Sequence, residues 1–124
     1  MQIKGTDFVL YEVSDLDRSV EFYRDVLGLK QTWRNDEVGG AEFDLVQTTL
    51  SLYAPQKAEG RTPAPGGTLF IAVANVQQAV EQLLAKGVSV IFGPMDTPVC
   101  EMACFLDPDG NRLGLHHRKD GTVG

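Results

Sequence analysis

The stretch FVLYEVSDLDRSVEFY, Phe8 to Tyr23, decides the fold because the chain repeats it in altered form. It can be laid over TLFIAVANVQQAVEQL, Thr68 to Leu83, at a constant offset of 60 residues. Val13 then meets Val73, Val20 meets Val80 and Glu21 meets Glu81. These three identities weigh little by themselves, but the shared order of residue types weighs more. Each copy opens on a short apolar run rich in β-branched and aromatic residues, which reads as a strand. Asp15 or Asn75 follows, a residue type whose side-chain oxygen can cap the first turn of a helix. Apolar stripes come next, Leu16, Val20, Tyr23 and Leu27 in the first copy and Val76, Val80, Leu83 and Leu84 in the second, with the spacing of one helix face. Gly28 and Gly87 supply left-handed stops.

Working outward, LKQTW, AEFDLV and TTLSLYA read as three further strands after the first helix, with RNDEVGG (Arg34 to Gly40) as a turn. After the second helix come VSVIFG, CEMACFL and RLGLHH, the last two joined by LDPDGN. There Pro108 presets a turn and Gly110 can take a positive φ. APQKAEGRTPAPGG (Ala54 to Gly67), dense in proline and glycine, separates the halves. The reading is α+β: one domain over residues 1–124 made of two βαβββ modules, about 1–54 and 67–118, with a linker over 55–66.

Composition excludes several classes. A formal charge of −6 with scattered basic residues argues against a nucleic-acid partner, which needs a concentrated basic patch. No apolar run approaches the ~18 residues of a membrane span. The amino terminus has no signal-peptide pattern, so a cytoplasmic protein without a membrane partner is expected. Cys100 and Cys104 share a strand face about 13 Å apart at ~3.3 Å per residue. That is too far for a disulfide, which needs Cα atoms within ~7 Å, so they read as buried, reduced thiols.

The segments VSDLDRSVEFYRDVLGL (Val13 to Leu29) and FLDPDGNRLGLHH (Phe105 to His117), with the repeat, resemble the vicinal oxygen chelate superfamily of glyoxalases, bleomycin-resistance proteins and extradiol dioxygenases. The resemblance covers nearly the whole chain and implies curled mixed sheets forming an open barrel, with helices on the convex side. It further implies a homodimer, for which exposed edge strands give a physical motive. In metal-dependent members, concave-face side chains hold a divalent ion. Carried over by position, the ligand slots fall on Phe8, Ser51, Thr68 and Gly114. None is a plausible primary ligand, so no metal and no cofactor are expected.

Alternation assigns the remaining positions under that resemblance. Val9, Tyr11, Val13, Leu50, Leu52, Leu69, Ile71, Val73, Leu113 and Leu115 pack against helices. Phe8, Leu10, Glu12, Ser51, Tyr53, Thr68, Phe70, Ala72, Arg112, Gly114 and His116 face the concave side. His116 and His117 point to opposite faces and cannot chelate one ion together. Apolar walls with a few polar groups suit a small molecule. Phe8, Phe70 and Trp33 would supply apolar contact or stacking, with Leu10 and Tyr53 beside them. Glu12 would pair with a ligand cation, with Glu42, Asp44 and Glu101 near the groove, while His116 and Arg112 would hydrogen-bond a polar edge. Gly114 would leave cavity space.

A glutamate at position 12, where glutathione-dependent members can carry an arginine, disfavours glutathione. The expectation is a metal-independent binder of an aromatic or cationic ligand, on the bleomycin-resistance pattern and with no catalytic residue. The alternative is a lyase, isomerase or dioxygenase using His116 and Glu12 as metal ligand or general base.

Overall fold

In the computed structural model, which describes residues 1–124, the doubled stretch folds alike both times. Asp15 Oδ1 accepts the Arg18 amide at 3.1 Å, and Asn75 Oδ1 accepts the Gln78 amide at 2.9 Å. The strand leading into each cap is tied in the same way: Val13 N–H donates to the Tyr53 carbonyl at 2.9 Å, and Val73 N–H to the His116 carbonyl at 3.0 Å. The chain divides into two units, Met1–Gly66 and Gly67–Gly124.

The first unit runs β1 (Phe8–Glu12), α1 (Leu16–Glu21), β2 (Lys30–Asn35), β3 (Gly40–Asp44), β4 (Thr49–Tyr53) and α2 (Pro55–Glu59). Its sheet has the order β1-β4-β3-β2, with β1 parallel to β4 and the other pairs antiparallel. Helix α1 packs on β3 and β4. Tyr11, Val13, Val20, Phe43, Leu50 and Leu52 are buried on that side.

The helix is not uniform, as its stripe would suggest. It passes into one π turn over Phe22–Val26, where the Leu27 amide reaches back five residues to the Phe22 carbonyl at 3.0 Å. Two consecutive aromatics at the start of that turn, Phe22 and Tyr23, are both buried. Tyr23 lies 6.0 Å from the Phe43 ring by centroid.

The second unit runs β5 (Leu69–Ala72), α3 (Val76–Ala85), β6 (Val90–Asp96), β7 (Cys100–Leu106) and β8 (Arg112–Arg118). Its order, β5-β8-β7-β6, and its single parallel pair repeat the first unit. Helix α3 packs on β6, β7 and β8, burying Val76, Val80 and Leu83 against the side of the sheet that carries Ala103, Phe105, Leu113 and Leu115. The β7–β8 hairpin is built by Asp107, whose carboxylate accepts the amides of Asp109 and Asn111 at 2.9 and 2.7 Å, while Gly110 sits at φ +82°.

Three expectations shift. Residues 55–66 are not all linker, because Pro55 at the start of α2 and Gly60 in the left-handed conformation at its end bound a short helix. Strand β6 runs on to Asp96 rather than stopping at Gly93. Thr68 lies one residue before β5, exposed and outside the ladder. Both cysteines are free, Cys104 buried and Cys100 half-buried.

Candidate functional site

Residues paired directly across a sheet share a face, so register builds each candidate surface row by row. In the first unit, Leu10, Ser51, Glu42 and Trp33 form one row, with Glu12, Tyr53, Gly40 and Asn35 on one side of it and Phe8, Thr49, Asp44 and Lys30 on the other. Phe8, Leu10, Glu12, Trp33, Ser51 and Tyr53 thus share the face opposite α1. A register shift between Gln31 and Trp33 turns Trp33 to this face. Its ring lies across Gly40, where a Cβ would stand 2.8 Å from Trp33 Cζ3. Phe8, Leu10 and Trp33 are each about half exposed.

Glu12 is not the unpaired anion that the sequence suggests. Arg61 comes back from beyond α2 and engages it with both terminal nitrogens, at 2.7 and 2.6 Å. The Ala64 amide adds a third hydrogen bond at 2.8 Å. Arg61 also donates to Glu59 at 3.1 and 3.2 Å, and the Tyr53 hydroxyl donates to Glu59 at 2.6 Å. The Arg61 hydrogen bonds, with the Ala64 amide, hold the Glu12 carboxyl down at about 2. The same guanidinium, then Tyr53, lowers Glu59, and accepting the hydroxyl's bond raises Tyr53 in turn. Such bidentate, charge-assisted pairs are the strong ones, so the charge of Glu12 is matched from within its own unit. A carboxyl that acidic is a poor general base near neutral pH.

In the second unit, Phe70, Gly114, Cys104 and Phe92 form one row, and Ala72, His116, Met102 and Met95 the next. Arg112 pairs with Leu106 at the end of the same face. The expected Phe70, Arg112, Gly114 and His116 therefore sit together, with the Phe70 ring 6.1 Å from the His116 ring and edge-on to it. Phe92, Met95, Met102 and Cys104 join them. Alternation along CEMACFL signalled the last two, whereas the irregular register of β6 hid the first pair.

Two corrections follow on this sheet. Gly114 opens no space, because an added Cβ would stand 2.2 Å from Phe70 Cδ1: the ring already covers the glycine. Glu101 pairs with His117 in a row with Asp96, on the face that packs toward α3, so it is absent from the candidate face. His117 is half-buried and its Nδ1 donates to the Val73 carbonyl at 3.2 Å.

Of the positions that the resemblance assigned to metal ligands, the first sheet carries a phenyl ring at Phe8 and a neutral hydroxyl at Ser51, while the second unit has a neutral hydroxyl at Thr68 and a glycine, Gly114, covered by the Phe70 ring. Neither pair fits a divalent metal. No three His, Cys, Asp or Glu side chains converge elsewhere in the structure. No helix is long and apolar enough to cross a membrane.

Comparison with known proteins agrees with this architecture. The family model of the Glyoxalase/Bleomycin resistance protein/Dioxygenase superfamily matches residues 5–115. The chain belongs to that superfamily. It is 29% identical to a virulence protein of Salmonella typhimurium strain LT2, covering 93% of this chain and 85% of that one. It is 31% identical to a lactoylglutathione lyase of Escherichia coli O157:H7, covering 93% of each. Among solved structures it resembles an antibiotic binding protein from Streptomyces sp. CB03234 at 27% identity and a TM-score of 0.77, covering 96% of this chain and 99% of that one.

Proposed function

We propose that this protein is a metal-independent small-molecule binder, a homodimer that captures an aromatic or cationic ligand such as an antibiotic without transforming it. The observation that carries the reading is the Phe70 ring lying on Gly114, at a place where metal-dependent relatives would need a ligand. On the second sheet, Phe70, Phe92, Met95 and Met102 offer polarisable surface to a flat ring, a role suited to methionine sulfur and aromatic faces. On the first, Phe8, Leu10, Trp33 and Tyr53 do the same beside carboxylates. The likeness to an antibiotic binding protein supports the reading.

The rival reading, a metal-dependent lyase, isomerase or dioxygenase, draws on the likeness to lactoylglutathione lyase. It would need Glu12 to leave Arg61. Elemental analysis after equilibration with nickel, zinc, manganese and iron(II) tests the choice. The proposal expects less than about a tenth of an ion per chain, and chelator-insensitive, saturable binding in a calorimetric screen of aromatic antibiotics. About one tightly held ion per chain, lost on His116→Ala, would overturn it.

A further inference from the structure

We propose that residues 60–66 form a strap latched over the Glu12 end of the first sheet by Arg61, and that a cationic ligand enters by taking the place of Arg61 on Glu12. This rests on the functional reading above and names the ligand chemistry and the gate of that site. The strap leaves α2 at Gly60, which is left-handed. Arg61 and the Ala64 amide then both converge on one carboxylate. Gly66 ends the strap close against the Tyr11 ring, where a Cβ would stand 2.9 Å from Tyr11 Cδ1.

The latch has the chemistry of an internal stand-in for a ligand. Glu12 stands on the candidate face in sequence with Phe8 and Leu10, and its side chain is only 15% exposed, whereas that of Arg61 is 41% exposed. The anion is thus sheltered and the cation reachable by solvent. A free guanidinium or amidinium carries the same planar fork and can make the same two hydrogen bonds. It competes against a tethered arginine of high effective concentration, so charge alone does not displace the strap. A cation carrying an aromatic ring that also covers Phe8 and Leu10 adds apolar contact that Arg61 lacks. Selectivity for cations bearing a ring follows.

The Ala64 amide reports on the latch directly. Because binding and strap opening are linked, a ligand that displaces Arg61 must loosen the strap, opposite to the usual tightening on binding. The experiment measures Ala64 amide exchange by NMR and binding of 4-aminobenzamidine by fluorescence, with neutral 4-aminobenzamide as control, in wild type, Arg61→Gln, Arg61→Lys and Glu12→Gln.

Arg61→Gln should bind the amidine about tenfold more tightly than wild type, the scale of one charge-assisted hydrogen bond, with Arg61→Lys between them. Glu12→Gln should lose the preference for the amidine over the amide. The amidine should speed Ala64 exchange in wild type. Equal affinity in wild type and Arg61→Gln, slower Ala64 exchange on binding, or no amidine binding even to Arg61→Gln would each overturn the latch. Failure of the capture reading itself would look different, since every aromatic antibiotic in the calorimetric screen, neutral ones included, would then fail to bind.

Discussion

Substituting Gly114 with alanine tests whether the Phe70 ring rests on that glycine. The new Cβ would stand 2.2, 2.3 and 2.8 Å from three ring atoms of Phe70, one of them Cγ. Contacts that short require the ring to shift off the glycine. Phe70 is 45% exposed, so a little over half of its surface is covered. For an aromatic side chain that is on the order of 100 Å², and at ~25 cal/mol per Å² its loss costs about 2.5 kcal/mol as an upper bound. The ring finds partial contact elsewhere, so Gly114→Ala should cost about 1–2 kcal/mol, within the usual range for overpacking.

Phe70→Ala removes the clash in advance. Gly114→Ala made on that background should be nearly neutral, giving a coupling of about 1 kcal/mol or more in a double-mutant cycle. Urea unfolding of the four proteins supplies the numbers, with unchanged m-values confirming one denatured state. If Gly114→Ala costs the same with and without Phe70, the ring does not rest on that glycine.

Other consequences follow from single positions. Val46 holds φ +70° in the β3–β4 turn, 93% exposed, a conformation that a β-branched residue resists. Val46→Asn or Val46→Gly should therefore raise stability by about 1 kcal/mol, and a drop in the urea midpoint would contradict the turn geometry. Asn75→Ala removes the cap of α3 and should cost about 1 kcal/mol, while a loss under a few tenths would mean that the Gln78 amide finds another acceptor. Glu12 is held at about 2 against an ordinary 4.5. A lowered carboxyl stabilises the fold above its unfolded value, and that contribution drains away as pH falls from 4.5 toward 2. Carbon-13 titration should place the Glu12 midpoint near the lower end and move it upward in Arg61→Gln, and a wild-type midpoint in the ordinary carboxylate range would refute the ion pair.

Much of the architecture was legible in one dimension because it is local. A cap followed by an apolar stripe marks a helix wherever it stands, and Asp15 and Asn75 did so twice. Alternation put Phe8, Leu10, Glu12, Ser51 and Tyr53 on one face and Phe70, Arg112, Gly114 and His116 on another, since side chains in a strand have no third direction. Irregular strands were harder to read. Register shifts within β6 break the two-residue period, so no local pattern marks Phe92 and Met95, and Glu101 has the parity of the opposite face, in a row with Asp96 and His117.

The repeat, the element order and the parity of the regular strands are all set by backbone sterics and hydrophobic period over a few residues, and so can be read along the chain. That Arg61 closes on Glu12 from 49 residues away, and that the Phe70 ring lies on Gly114 of a neighbouring strand, emerges from the folded chain alone. Both depend on where a distant piece of chain arrives and on what volume is left there, and neither quantity is carried by local pattern. The physical reason is that charge matching and close packing are properties of neighbours in space, and a loop rich in proline and glycine can bring very different neighbours to the same strand.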